Sequence, residues 1–160
     1  MSIKVYFDLD GTIFDLYGKE DWLDYIKLEI SGLFATGDFL EEIDKPKFDE
    51  TINKLLNIGV EFAVITWLPM QASNEYETVC SQEKINWVKE NLPFVNEISC
   101  LSYGIPKQNA IKKRCQKMYL IDDNSDVCNT WATNSQRIAI NVDSDFTVVN
   151  ALETILKENS

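Results

Sequence analysis

Apolar positions along this chain fall into two kinds of run. Short, nearly unbroken ones of strand length, "IKVYFDL" (3–9), "VEFAVIT" (60–66), "NEISCLS" (96–102), "KMYLID" (117–122) and "RIAINV" (137–142), alternate with longer stretches of helical period. Several of the short runs are apolar at consecutive positions, as strands covered on both faces of a parallel sheet are. Among the longer stretches, 46–59 sets Phe48, Ile52, Leu55 and Leu56 on one face, with Pro46 in the first turn and Gly59 as a stop. Residues 81–93 carry Ile85, Val88 and Leu92 as a stripe that ends before Pro93. Further helices are predicted at about 19–33, from Pro106 to Cys115, and over 144–160. Strand–helix alternation of this kind predicts an α/β fold: a doubly wound, three-layer sandwich around a five-stranded, mostly parallel sheet, formed by residues 1–160 as one domain.

In such sheets ligands bind beyond the carboxyl ends of the strands. The first run ends in Asp8 and Asp10 followed by Gly-Thr, the second in Thr66 just before Trp67, and the fourth in Asp122 and Asp123, with Asp126 close behind. The stretch after the third run leads to Lys107, while the fifth run ends in nothing comparable. Side chains at i and i+2 of a strand project to one face, so Asp8 and Asp10 can address a single object. Two ionised carboxylates that close repel each other unless one is protonated or a cation sits between them. Asp122 and Asp123 add to that repulsion, and a divalent ion with hard oxygen ligands relieves it; Mg²⁺ suits a few carboxylates, waters and a phosphate.

The bulk properties narrow the chemistry further. The 160 residues are enough for one core. A net charge of −11 argues against non-specific nucleic-acid binding. Histidine is absent, which removes histidine triads, proton shuttles and histidine-rich zinc sites. Acid–base work must therefore run on carboxylates, lysine, tyrosine or cysteine. Four cysteines without metal-like spacing read as free thiols of a reducing compartment. There is no membrane-spanning run, and the opening "MSIKVYFDL" is too short and too soon charged for a signal peptide, so a cytoplasmic protein is expected.

Taken in order, "DLDGT", Thr66 after a hydrophobic strand, Lys107 opening a helix and "LIDDNSD" resemble the four motifs of the haloacid dehalogenase (HAD) superfamily. The likeness covers nearly the whole chain; "DLYGKEDWLDYI", "ITWLP" and "KINWVKENLP" also resemble small phage and bacterial HAD hydrolases, and the stretch after Thr66 is more weakly similar to 5′(3′)-deoxyribonucleotidases. It implies a HAD-like sheet and a Mg²⁺-dependent phosphomonoester hydrolase that works through an aspartyl phosphate, with nucleotides among the candidate substrates. On this resemblance Asp8 is the nucleophile and Asp10 the general acid and base. Thr66, Trp67 and Lys107 are the phosphate-binding positions. Asp8, Asp10 (through its backbone carbonyl) and Asp122 hold the metal, with Asp123 and Asp126 one step further out. The partner implied is a small phosphorylated substrate. Residues at about 16–45 leave room only for a minimal cap, and the segment 68–80 reads as a long loop able to fold over the rim.

Plainer readings stand beside these. Asp8 and Asp10 could be turn formers, Thr66 could satisfy a strand end, and Asp15 reads as a loop carboxylate. Lys112 and Lys113 read as a solvated face, whereas Lys107 in a first helical turn is unfavourable unless an anion lies nearby. Trp67 is a pocket wall or a core residue, and Trp22 and Trp87 are core or contact surface. A phosphorylation-controlled receiver module shares the acids, threonine and lysine but lacks a carboxylate two residues beyond its phosphoacceptor. An interaction protein that keeps the fold without turnover is the third reading.

Overall fold

A computed structural model describes residues Met1–Ser160. Five strands, β1 (Ile3–Phe7), β2 (Glu61–Trp67), β3 (Glu97–Leu101), β4 (Lys117–Asp122) and β5 (Arg137–Asn141), form one sheet in the order β3-β2-β1-β4-β5. Every pairing is parallel, so the sheet is wholly rather than mostly parallel. The chain steps outward from β1 to β3 on one side and then crosses back to lay β4 on the other. The reversal point therefore lies between β1 and β4, where Phe7 pairs with Ile121. Ligands of open α/β sheets bind at such a point, beyond the carboxyl ends.

Side-chain alternation divides the core into two layers. Val5, Phe7, Phe62, Val64, Tyr119 and Ile121 face one way, under α2 (Lys45–Asn57), α3 (Asn74–Asn91) and α5 (Val148–Asn159). Tyr6, Ala63, Ile65, Met118 and Leu120 face the other way, under α4 (Ser125–Trp131) and Cys115. Trp131 closes this smaller layer, with its indole N–H on the Met118 carbonyl at 3.2 Å and its ring edge-on to Tyr6. Each strand of the middle three is buried along nearly its whole length, which is why each reads as an unbroken apolar run.

Three predicted segments come out differently. The helix expected at 19–33 shrinks to α1, Trp22–Lys27, which buries no residue. Its Trp22, Tyr25 and Ile26 are only partly buried against the core, so a six-residue helix gains little from packing, and Glu29 and Gly32 then take positive φ. Of the helix expected at 106–115, only a single 3-10 turn forms, Lys107–Ala110. Lys112, Lys113 and Arg114 are exposed, and Ala110 and Ile111 are only partly buried against the smaller core layer, so Cys115 is the one buried apolar side chain that draws the segment onto the core. The loop expected at 68–80 is shorter, because α3 starts at Asn74 with Ser73 as its N-cap. The buried face of α3 is Tyr76, Cys80, Lys84, Trp87 and Val88, and the lysine in mid-stripe hides the helical period. No helix is long and apolar enough to cross a membrane.

The region between β1 and α2 is light. Its acidic connector returns to the loop after β1, where the Leu40 N–H bonds the Ile13 carbonyl and the Asp15 N–H bonds the Asp38 carbonyl. It is then tied to α3. The Trp87 indole N–H bonds the Gly37 carbonyl at 3.0 Å, and the Glu29 carboxylate accepts from the Ser73 N–H and hydroxyl at 2.7 and 2.8 Å. Trp87 is thereby a core residue, while Trp22 stacks edge-on against Tyr17 near the sheet rim. Asp15 is a loop carboxylate that accepts from the Gly18 N–H at 2.9 Å.

Candidate active site

The end of β1 is held by its neighbour until the last residue: the Asp8 N–H donates to the Ile121 carbonyl at 3.0 Å. The chain then turns sharply, with the N–H groups of Thr12, Ile13 and Phe14 all directed at the Leu9 carbonyl. Gly11 makes the turn at φ +79°, and a Cβ there would lie 2.4 Å from Asp123 Oδ2. Only glycine tolerates both the conformation and the close approach. The turn delivers the Thr12 hydroxyl between the two acidic loops. It accepts from the Asp123 N–H at 3.1 Å and lies 3.1 Å from Asp8 Oδ2 and 3.2 Å from Asp123 Oδ1. One hydroxyl proton can serve only one of these two oxygens.

Lys107 reaches the same point from the 3-10 turn after β3. Its ammonium donates to Asp8 Oδ1 at 2.7 Å and to Asp122 Oδ2 at 2.6 Å, and it is almost wholly buried. Burial alone would pull the lysine down, but the charges of Asp8 and Asp122 outweigh it and hold Lys107 above the usual lysine range. The other oxygen of Asp122 accepts from the Asn124 N–H at 2.9 Å. Burial, and then the charge of Asp8, pushes Asp122 above the usual carboxylate range, and the same two causes raise Asp123.

Carboxylate oxygens of Asp8, Asp122 and Asp123 lie within 4.8 Å of one another. Three acids against the single ammonium of Lys107 leave negative charge in excess, and the donors are hard oxygens. This set fits a small divalent cation. Asp123, expected one step out from the metal, is a full member of the cluster. The Asp10 side chain is not.

Asp10 points to a different partner. Its Oδ2 accepts from the Lys84 ammonium at 2.8 Å, while its Oδ1 is buried with no partner. Burial raises the Asp10 carboxyl above the usual range, Lys84 works against that shift, and the charge of Asp8 adds to it. Lys84 also donates to the Thr66 hydroxyl at 2.9 Å and to the Trp67 carbonyl at 2.7 Å. Thr66 falls on the α3 side of the sheet by strand alternation, so its hydroxyl meets Lys84 and does not open onto the cavity. Sequence reading missed Lys84, which sits in a stretch written as an ordinary amphipathic helix. The one signal was a lysine between apolar stripe positions.

A cavity of about 440 Å³ opens over Asp8, Asp10, Lys107, Asp122 and Asp123. Its walls are aromatic and aliphatic: Tyr17 with Trp22 on one side, Trp67 with Tyr103 on another, and Leu68, Pro69 and Met70 from the segment after β2. Trp67 is a wall, since its indole N–H is engaged by the Ile105 carbonyl at 2.8 Å. Its ring stands 5.5 Å from the Lys107 ammonium. The other cation lining the cavity is Lys27, which is exposed. Asp126 is not brought into the cluster; it is exposed on α4 and lines a neighbouring cavity of about 360 Å³.

No family model matches this sequence, and no curated protein matches it. Among solved structures, the fold is similar to that of a D,D-heptose 1,7-bisphosphate phosphatase from Burkholderia thailandensis. The TM-score is 0.51 at 11% identity, over 97% of this chain and 99% of that one. The likeness is one of fold: a five-stranded, wholly parallel α/β architecture.

Proposed function

We propose that this chain, built on a HAD-like fold, is a Mg²⁺-dependent phosphomonoester hydrolase that works through a phosphate on Asp8. The observation that carries the reading is the division of labour among the rim acids. Asp8 shares the Lys107 ammonium with Asp122 and an acidic cluster with Asp122 and Asp123, whereas Asp10, two residues on, is held apart with one free oxygen.

The steps follow from those positions. An Asp8 oxygen attacks phosphorus as the bond from phosphorus to the ester oxygen breaks. Asp10, protonated, gives its proton to the departing oxygen, which leaves as an alcohol. Asp10, now a carboxylate, takes a proton from water, whose oxygen attacks phosphorus and breaks the bond to Asp8. Inorganic phosphate departs, and both acids return to their starting forms. Lys107 neutralises charge on Asp8 and on a phosphoryl oxygen, the stabilisation such loose transition states ask for. Because the Thr66 hydroxyl is buried on the α3 side of the sheet, accepting from Lys84 and turned toward the Trp67 carbonyl, phosphate binding falls mainly to Lys107. A magnesium ion held by Asp8, Asp122 and the Asp10 carbonyl, with Asp123 beside them, would offset the repulsion between nucleophile and phosphate.

The walls support a single phosphate on an uncharged, largely apolar or planar leaving group. Two aromatic pairs flank the cavity, and beyond Lys107 only the exposed Lys27 could meet a second anion. Nucleoside monophosphates are the first substrates to try. Purified protein assayed against nucleoside monophosphates, aryl phosphates, sugar phosphates and sugar bisphosphates, each with Mg²⁺ and with excess chelator, tests this. The expected result is Mg²⁺-dependent release of phosphate, with nucleotides and aryl esters ahead of bisphosphates by roughly tenfold or more in kcat/KM, about 1.4 kcal/mol of discrimination. Absence of turnover on every ester with Mg²⁺ present would overturn the reading.

A further inference from the structure

The mechanism above leaves one deeply buried charge without a task. Lys84 lies in the middle of the apolar face of α3, 1% exposed, with its ammonium 4.4 Å from the centre of the Phe34 ring. Burying an ammonium is costly unless every proton finds an acceptor. Here each does: Asp10 Oδ2, the Thr66 hydroxyl and the Trp67 carbonyl take all three. An ammonium has three donors and no acceptor, so none is left for a phosphate.

We infer that Lys84 is a positioning residue that fixes Asp10 by one oxygen and reserves the other, Oδ1, for proton exchange with the leaving group and with water. The inference rests on the phosphatase reading and deepens it. Three observations carry it. Oδ2 is committed to Lys84, whereas Oδ1 is buried and unpartnered, which is the unsatisfied state expected of a group whose partner arrives with substrate. The other buried cation of the site, Lys107, is taken by Asp8 and Asp122, so Lys84 is the cation that orients Asp10. Finally, Lys84 ties Asp10 to the end of β2 from a helix that is itself fastened to the segment between β1 and α2. The Tyr76 hydroxyl is within 3.0 Å of the Tyr25 and Ile30 carbonyls, and the Trp87 indole bonds the Gly37 carbonyl. A carboxylate anchored to a fixed frame is held in productive geometry; an unanchored one rotates.

The leaving group tells positioning of an acid from mere structural support. p-Nitrophenolate departs without a proton, whereas an alkoxide needs one, and both substrates need Asp10 as base in the second step. For Lys84→Met, hydrolysis of an alkyl phosphate should fall by about 10²–10³-fold in kcat with KM changed by less than about threefold, the scale of one general acid–base group. With p-nitrophenyl phosphate the same variant should release one equivalent of p-nitrophenol per enzyme in a fast burst and then turn over slowly. Asp10→Asn should behave alike, and the double variant Asp10→Asn/Lys84→Met should be no slower than Asp10→Asn alone, because the two residues act as a unit. Should Lys84→Met fail to fold by circular dichroism, Lys84→Gln, which is polar but neutral and one atom too short to serve Asp10, Thr66 and Trp67 together, enters the same assays, with the burst again expected. Equal losses on both substrates without a burst, additive effects in the double variant, or wild-type kinetics would overturn the inference while leaving the phosphatase reading standing. A wild-type protein inactive on both esters would overturn both.

Discussion

Asp8→Asn is expected to abolish phosphate release, by on the order of 10⁶-fold in kcat, the loss seen when an essential nucleophile is removed. Asn keeps the volume and can still accept from the Lys107 ammonium through its amide oxygen, so the rim stays packed. What it loses is nucleophilicity toward phosphorus and the charge that helps to hold a divalent ion. The melting temperature without metal should move by only a few degrees, since one of three crowded carboxylates has been neutralised while one partner of Lys107 has been weakened. Steady-state assays with a sensitive phosphate reporter, alongside a thermal melt, read both quantities. A variant retaining even a few per cent of kcat would place the nucleophile elsewhere.

Lys107→Met has its largest effect on stability. Lys107 separates Asp8 from Asp122, with ion pairs of 2.7 and 2.6 Å and side chains that are nearly all buried. Deleting one partner of a buried pair typically costs about 3–5 kcal/mol, because the remaining charges are left uncompensated. Here two carboxylates would be stranded at once. Urea denaturation should show that loss in metal-free buffer, and millimolar Mg²⁺ should recover part of it by taking over the neutralising role. Activity should remain low even with Mg²⁺, because the phosphoryl oxygen has lost its cation. A loss below about 1 kcal/mol would mean that the charges at the rim are far better screened than their burial implies.

How much of this was visible beforehand follows from what each residue advertises. The strands were legible because a doubly covered parallel sheet writes itself as unbroken apolar runs, and β4 falls at 117–122 as read. Asp8, Asp10 and Asp122 were legible because strand ends are where charge is otherwise out of place, and Lys107 because a lysine in a first helical turn is unfavourable unless an anion lies nearby. α1 and the 106–115 segment were over-read, since helical spacing without a well-buried stripe does not make a helix. The start of α3 was under-read for the opposite reason: a charged residue occupies a core position of the stripe. Lys84 looked like a solvent lysine, and only the packing of α3 on β2 turns it toward Asp10. Thr66 was placed correctly along the chain but faces Lys84, because alternation sends it and Trp67 to opposite sides of the sheet.

The central claim is that Asp8 accepts the phosphoryl group, in a site assembled from the first and fourth strands, and that Asp10 promptly clears it. Acid quenching of the protein during turnover of a phosphate-labelled ester, followed by mapping of the base-labile label, measures this most directly. The account predicts label on Asp8 alone, lost within seconds at neutral pH and absent from Asp8→Asn. Continued hydrolysis without protein-bound label would contradict it, as would an Asp8 phosphate that persists for minutes in the manner of a receiver module.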